Sequence, residues 1–131
     1  MMVLMSFGLI SCDKTPEQMI LGVWKVDSAM LTQTDSNGTV TSDMPGFDDY
    51  WYEFEKSGLC TVTDRTITSH YDWYLLDDKS LILTDYVNNS YQYDLVELQP
   101  KRMVLTYEYG YKEGPDSIYV RAEQRFELSK R

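Results

Sequence analysis

An all-β fold, an antiparallel up-and-down barrel of about eight strands, is predicted by three features of this 131-residue chain. Short runs rich in Val, Ile, Thr, Tyr, Phe and Trp recur roughly every ten residues from Met19 onward, separated by polar turn clusters. Along these runs apolar and polar residues alternate, so each strand has one dry and one wet face, as in antiparallel sheet. The connections are short, without long crossovers, so consecutive strands pair and the one-sided sheet closes on itself rather than stacking as a sandwich.

The chain opens with the apolar run Met2-Val3-Leu4-Met5-Ser6-Phe7-Gly8-Leu9-Ile10, followed by Ser11-Cys12. Such a run reads as an export signal outside the fold. About ten apolar residues are too few for a permanent membrane span, which takes roughly 20. Leu9-Ile10-Ser11-Cys12 resembles the lipobox of bacterial lipoproteins. That resemblance implies cleavage before Cys12, a diacylglycerol on its sulfur, and lipid anchoring in the bacterial cell envelope, at the periplasmic face or the cell surface. The chain then divides into residues 1–11 as signal, 12–18 as lipidated Cys12 with a polar tether around Pro16, and 19–131 as one domain. Residues 15–21 suit one short turn of helix.

The first strand is expected over residues 20–34, with Ile20, Gly22, Trp24, Val26 and Met30 on the face opposite Lys25 and Asp27. It ends at Asp35-Ser36-Asn37-Gly38, whose Asn-Gly pair suits a hairpin turn with positive φ. A short strand or loop leads to Phe47. Residues 50–55 form a clear strand, with Tyr50, Tyr52 and Phe54 opposing Trp51, Glu53 and Glu55; Lys56-Ser57-Gly58 turns it into a partner over 59–63. Residues 67–76 run to Asp77-Asp78-Lys79-Ser80, and 81–85 return. Residues 91–98, 103–109 and 117–128 complete the set. In the last strand Ile118, Val120, Ala122, Gln124, Phe126 and Leu128 share the inner face, against Tyr119, Arg121, Glu123, Arg125 and Glu127.

Ile20-Leu21-Gly22-Val23-Trp24-Lys25-Val26 resembles the Gly-x-Trp opening of lipocalins. Tyr52-Glu53-Phe54-Glu55-Lys56-Ser57-Gly58, Asp77-Asp78-Lys79-Ser80-Leu81-Ile82-Leu83, Lys101-Arg102-Met103-Val104-Leu105-Thr106-Tyr107 and Arg125-Phe126-Glu127-Leu128 follow in order. The succession is similar to lipocalin-like lipoproteins of Bacteroidetes. The resemblance implies that Trp24 closes the barrel floor and that an arginine of the last strand, Arg121 or Arg125, stacks on it.

Composition narrows the function. A net charge of −9 argues against nucleic acid, whose phosphates require a positive surface. It also argues against contact with anionic head groups beyond the anchor. His70 is the single histidine, which leaves no metal-ligand cluster, and its neighbour Ser69 points to the opposite face. Asp48-Asp49 and Asp77-Asp78 read as turn residues. No catalytic set, metal or cofactor is expected. With Cys12 lipidated, Cys60 has no partner and reads as a small buried hydrophobe. A monomer is expected.

Eleven Tyr and three Trp exceed the needs of a small core. Packing across strands accounts for many of them. Inward-pointing tyrosines would also give a cavity with apolar walls and hydroxyl anchors, and Tyr50, Tyr52, Trp73, Tyr91, Tyr93 and Tyr107 are the candidate ligand-binding residues. The function expected is a non-catalytic barrel binding a small, partly apolar molecule at its open end. The alternative is an envelope interaction module with a filled core, whose exposed aromatics contact a protein or glycan.

Overall fold

The computed structural model describes residues 14–47 and 49–131. The expected signal, the lipidation at Cys12 and the residue Asp48 lie outside the described residues.

The described chain begins with a short helix, α1 (Pro16–Ile20). Nine strands follow: β1 (Gly22–Asp35), β2 (Gly38–Asp43), β3 (Tyr50–Phe54), β4 (Leu59–Asp64), β5 (Ile67–Leu76), β6 (Ser80–Thr84), β7 (Ser90–Gln99), β8 (Arg102–Glu113) and β9 (Ile118–Lys130). A single 3-10 turn, Pro45–Phe47, links β2 to β3. Consecutive strands from β3 to β9 pair antiparallel, and β9 pairs back onto β1, so the sheet closes. Gly22 to Lys25 of β1 pair with β3, whereas Met30 to Asp35 pair with β2 on the same edge. β2 is therefore an overhang, and the closed barrel has eight strands: β1 and β3 to β9.

Turn chemistry sets the register. Asp77 and Asp78 take φ of 53° and 57° between β5 and β6, the paired positive angles of a tight hairpin that Asp tolerates. Asp35 Oδ1 accepts from the Asn37 N–H at 2.7 Å, which nucleates the β1–β2 turn. Asp77-Asp78 thus sits in a turn, as its sequence suggests.

The inner faces follow the alternation, with one shift in β1 and another in β7, between Leu95 and Glu97. Trp24 and Val26 are buried, and then Asp27 bulges out of the β1–β9 ladder between Val26 and Ser28. One extra residue in a strand reverses the faces beyond it. Ala29, opposite Phe126, is therefore buried, and Met30, expected inside, pairs with outward-facing Arg125. Ile20 is not in the first strand but is the buried end of α1. Ile118, expected inside, is 38% exposed, because β8 and β9 rise past the barrel rim there.

The floor is built around Trp24, fully buried, whose indole Nε1 donates to the Ile20 carbonyl at 2.8 Å. Phe54, Trp73, Leu81, Met103 and Leu128 fill the lower barrel with it. The cation over the Trp24 ring is Lys130 at 5.5 Å, not Arg121 or Arg125. Those arginines face outward, where Arg121 pairs with Glu108 and Arg125 with Glu127. Lys130 reaches its place by crossing Gly22 and donating to the Met19 carbonyl at 3.0 Å. A Cβ on Gly22 would lie 2.8 Å from the Lys130 Cε, and Gly22 has φ of 121°. The glycine before the tryptophan is thus required by its backbone angle, whereas at the crossing the end of the flexible Lys130 side chain could shift.

Candidate functional site

Above this filled floor the barrel changes character. Tyr52, Tyr91, Tyr93 and Tyr107 project from β3, β7 and β8, and Tyr50 and Tyr71 join them nearer the mouth. Their arrangement follows from register. Cys60 pairs with Phe54 on one side and Tyr71 on the other, and Leu83 pairs with Tyr91, so all these side chains share the inner face. A pocket of about 190 Å³ lies among them, walled by Tyr50, Tyr52, Tyr71, Tyr91, Tyr93 and Phe47. Val62 and Leu83 complete its lining.

Phe47 comes from the 3-10 turn between β2 and β3. The Met44 N–H donates to the Ala29 carbonyl at 2.8 Å, which pins this connection to β1. The Phe47 ring then packs 4.5 Å from Tyr50 and 5.2 Å from Phe126, forming one side of the mouth.

Of the residues expected at a ligand site, Tyr50, Tyr52, Tyr91 and Tyr93 line the pocket. Trp73 sits lower, edge-on to Phe54 at 5.5 Å, with its indole Nε1 donating to the Glu55 carbonyl at 2.9 Å. It is a core residue. Tyr107 stands behind the wall, 5.1 Å from Tyr93 and 6.4 Å from Tyr91. Sequence reading missed Phe47, Val62, Tyr71 and Leu83. Tyr71 could have been found, since it lies two residues from Trp73 in the same strand and shares its face.

The electrostatics of the pocket are one-sided. Burial raises the phenols of Tyr52 and Tyr93 well above their ordinary range, each helped by neighbouring tyrosines. Burial, with Asp64 next, raises Tyr50; burial, with Asp85 next, raises Tyr71 and Tyr91. Every phenol lining the pocket is therefore neutral at ordinary pH. Asp85 stands at the rim, receiving the Tyr91 hydroxyl at 3.4 Å on Oδ2. Its Oδ1 accepts the backbone N–H groups of Val87 and Asn89 at 3.0 and 2.9 Å. Desolvation works to raise the Asp85 pKa, but these hydrogen bonds together outweigh it and hold the group below the usual carboxylate range. Among the described residues, no Lys, Arg or His lines the pocket.

Tyr109 and Tyr111 continue the aromatic row up β8, with ring centroids 5.8 and 6.1 Å apart along Tyr107–Tyr109–Tyr111. Gln33 Nε2 donates to the Tyr111 hydroxyl at 2.7 Å, fastening the top of the row to β1. A larger hollow, about 300 Å³, lies among the hairpin tips and is lined by Gln33, Asp35, Asn37, Thr39 and Glu113. Val40 and the buried Val120 complete its lining, which belongs mostly to exposed hairpin ends.

Other groups do not form a site. His70 is on the outer face beside Thr61. Cys60 is fully buried, and burial pushes its thiol up to about 12, which makes it a poor nucleophile. Among the described residues no group of three or more His, Cys, Asp or Glu could hold a metal ion. Compared with family models, curated proteins and solved structures, the chain matches none.

Proposed function

We propose that this protein is a lipid-anchored, lipocalin-like binding protein of the bacterial cell envelope, non-catalytic, which takes one small, partly apolar molecule into the tyrosine pocket. The observation that carries the reading is the contrast within the barrel: a lower half packed solid and, above it, a pocket of about 190 Å³ walled by aromatic rings. Protein ligand sites combine apolar walls with a few convergent polar groups, and here phenol hydroxyls supply the polar part. Apolar cavities of roughly 150 Å³ accept benzene, so the volume suits a single ring or a compact branched group, not a fatty acid or a tetrapyrrole.

Benzyl alcohol is a suitable probe. Titrated into isotopically labelled protein, it should shift the amide resonances of Tyr52, Val62, Tyr71, Leu83 and Tyr93. Val62→Phe, which fills the pocket from β4, should remove those shifts while keeping the spectrum of a folded barrel. Absence of shifts at millimolar probe, or identical shifts in the variant, would exclude this pocket as the site. For the anchor, Cys12→Ala should release the protein from the membrane fraction. Unchanged membrane association without an acylated N-terminal peptide would end the lipoprotein reading.

The alternative, a filled barrel contacting a protein or glycan through its outer aromatics, draws on Tyr86, 94% exposed, and Tyr119, 60% exposed. It loses Trp51, the strongest outward candidate, whose ring is covered by Lys25 at 5.6 Å and Arg131 at 4.6 Å.

A further inference from the structure

The pocket's walls also bear on which molecules it would select. Five tyrosines and Phe47 surround it, so a guest meets aromatic faces and edges on most sides. An aromatic face carries negative electrostatic potential and attracts cations, most strongly where water is excluded, and quaternary ammonium groups are held in such cages. The rim adds formal negative charge. Asp85 lies against Tyr91, and Asp64, paired in register with Tyr50, lies on the inner face of β4. The hydrogen bonds from Val87 and Asn89 keep Asp85 ionised, as described above. Among the described residues, no basic side chain lines the pocket to hold an anion. The molecule's net charge of −9 further concentrates cations near such a concave surface.

Resting on the proposal that this pocket binds a ligand, we infer that its ligand is a compact organic cation, an alkylated ammonium group held within the aromatic cage and drawn in by the rim carboxylates. A carboxylate or phosphate guest would lose its hydration with no cation to replace it. A neutral guest of the same shape would gain the apolar contact but neither the ring-face attraction nor the rim charge.

Choline and its neutral isostere 3,3-dimethylbutan-1-ol test this directly, because they share shape and hydroxyl and differ in charge. In titration calorimetry with the intact barrel, choline should bind at least tenfold more tightly than the alcohol. Added salt should weaken choline binding and leave the alcohol unchanged. Asp85→Asn keeps an oxygen to accept from Val87 and Asn89, so the turn persists. That variant should weaken choline several-fold and spare the alcohol. Equal or tighter binding of the alcohol overturns the cation assignment while the pocket remains a binding site. If neither probe nor benzyl alcohol binds, the pocket reading itself fails and the cation assignment falls with it.

Discussion

At the scale of single residues, two tryptophans in adjacent strands have opposite environments. Trp24 is fully buried, hydrogen-bonded to Ile20 and covered by Lys130. Trp24→Ala should cost about 3–5 kcal/mol, the range for aromatic truncation in a core. Trp51 is only half-buried and keeps two cations over its outward ring. Its truncation should cost about 1–2 kcal/mol, since each of two exposed cation–π contacts contributes roughly 0.5–1. Urea midpoints of the two variants measure the difference, and equal losses would contradict the assignment of inner and outer faces. Cys60 allows a second test, through pH. Its thiol is raised from 9.0 to about 12 in the fold. Above pH 9 the unfolded chain loses this proton while the folded chain keeps it. Stability is therefore full below pH 9 and falls as pH rises toward 12, by up to about 1.4 kcal/mol per pH unit. Cys60→Ala should unfold less steeply between pH 9 and 10 than the parent. Identical slopes would mean the thiol is not buried as described.

At the scale of elements, α1 is held by small, separable contributions. Thr15 Oγ1 accepts from the Gln18 N–H at 3.2 Å, and Gln18 Oε1 accepts from the Thr15 N–H at 3.1 Å, a reciprocal cap. A five-residue helix has little stability alone; the burial of Ile20 against the floor fixes it. Thr15→Ala should cost about 1 kcal/mol, and Ile20→Ala about 2–5 kcal/mol. Thermal denaturation of both variants checks the order, and a larger loss at Thr15 would mean that the floor does not depend on this helix. The same element shows what the sequence could disclose. A short turn of helix over residues 15–21 was legible in the sequence, and the strands from their alternation. The bulge at Asp27 was not. Asp27 and Ser28 are both polar and Ala29 is small, so nothing in that stretch marks a change of face. Phe47 was illegible for another reason: it lies in a connection without periodicity, and only the pairing of β1 with both β2 and β3 swings it over the mouth. Lys130 was hidden because its role depends on the gap left by Gly22, more than a hundred positions away in the chain.

At the scale of the whole molecule, the barrel is stiff below and loose above. The lower half buries Trp24, Phe54, Leu81, Met103, Leu105 and Leu128 almost completely. The tips of the β1–β2 and β8–β9 hairpins bury almost nothing, and all six residues of β2 are exposed. Protection from exchange follows such differences in local packing. Amide hydrogen exchange should therefore be slowest in the ladder from Val26 to Leu128 and through Met103 to Thr106, and fastest in residues 36–43 and 112–118. Comparable protection at the tips would contradict the two-part barrel.

Closure of β9 on β1 also constrains the order of events in time. The outer rail of the first strand stays without its partner until the final thirteen-residue strand has formed. The Arg131 N–H then bonds the Val23 carbonyl at 2.9 Å, joining positions at opposite ends of the domain. Contacts so distant along the chain form late and slowly. A chain emerging N-terminus first therefore cannot close this barrel until β9 has followed all the other strands.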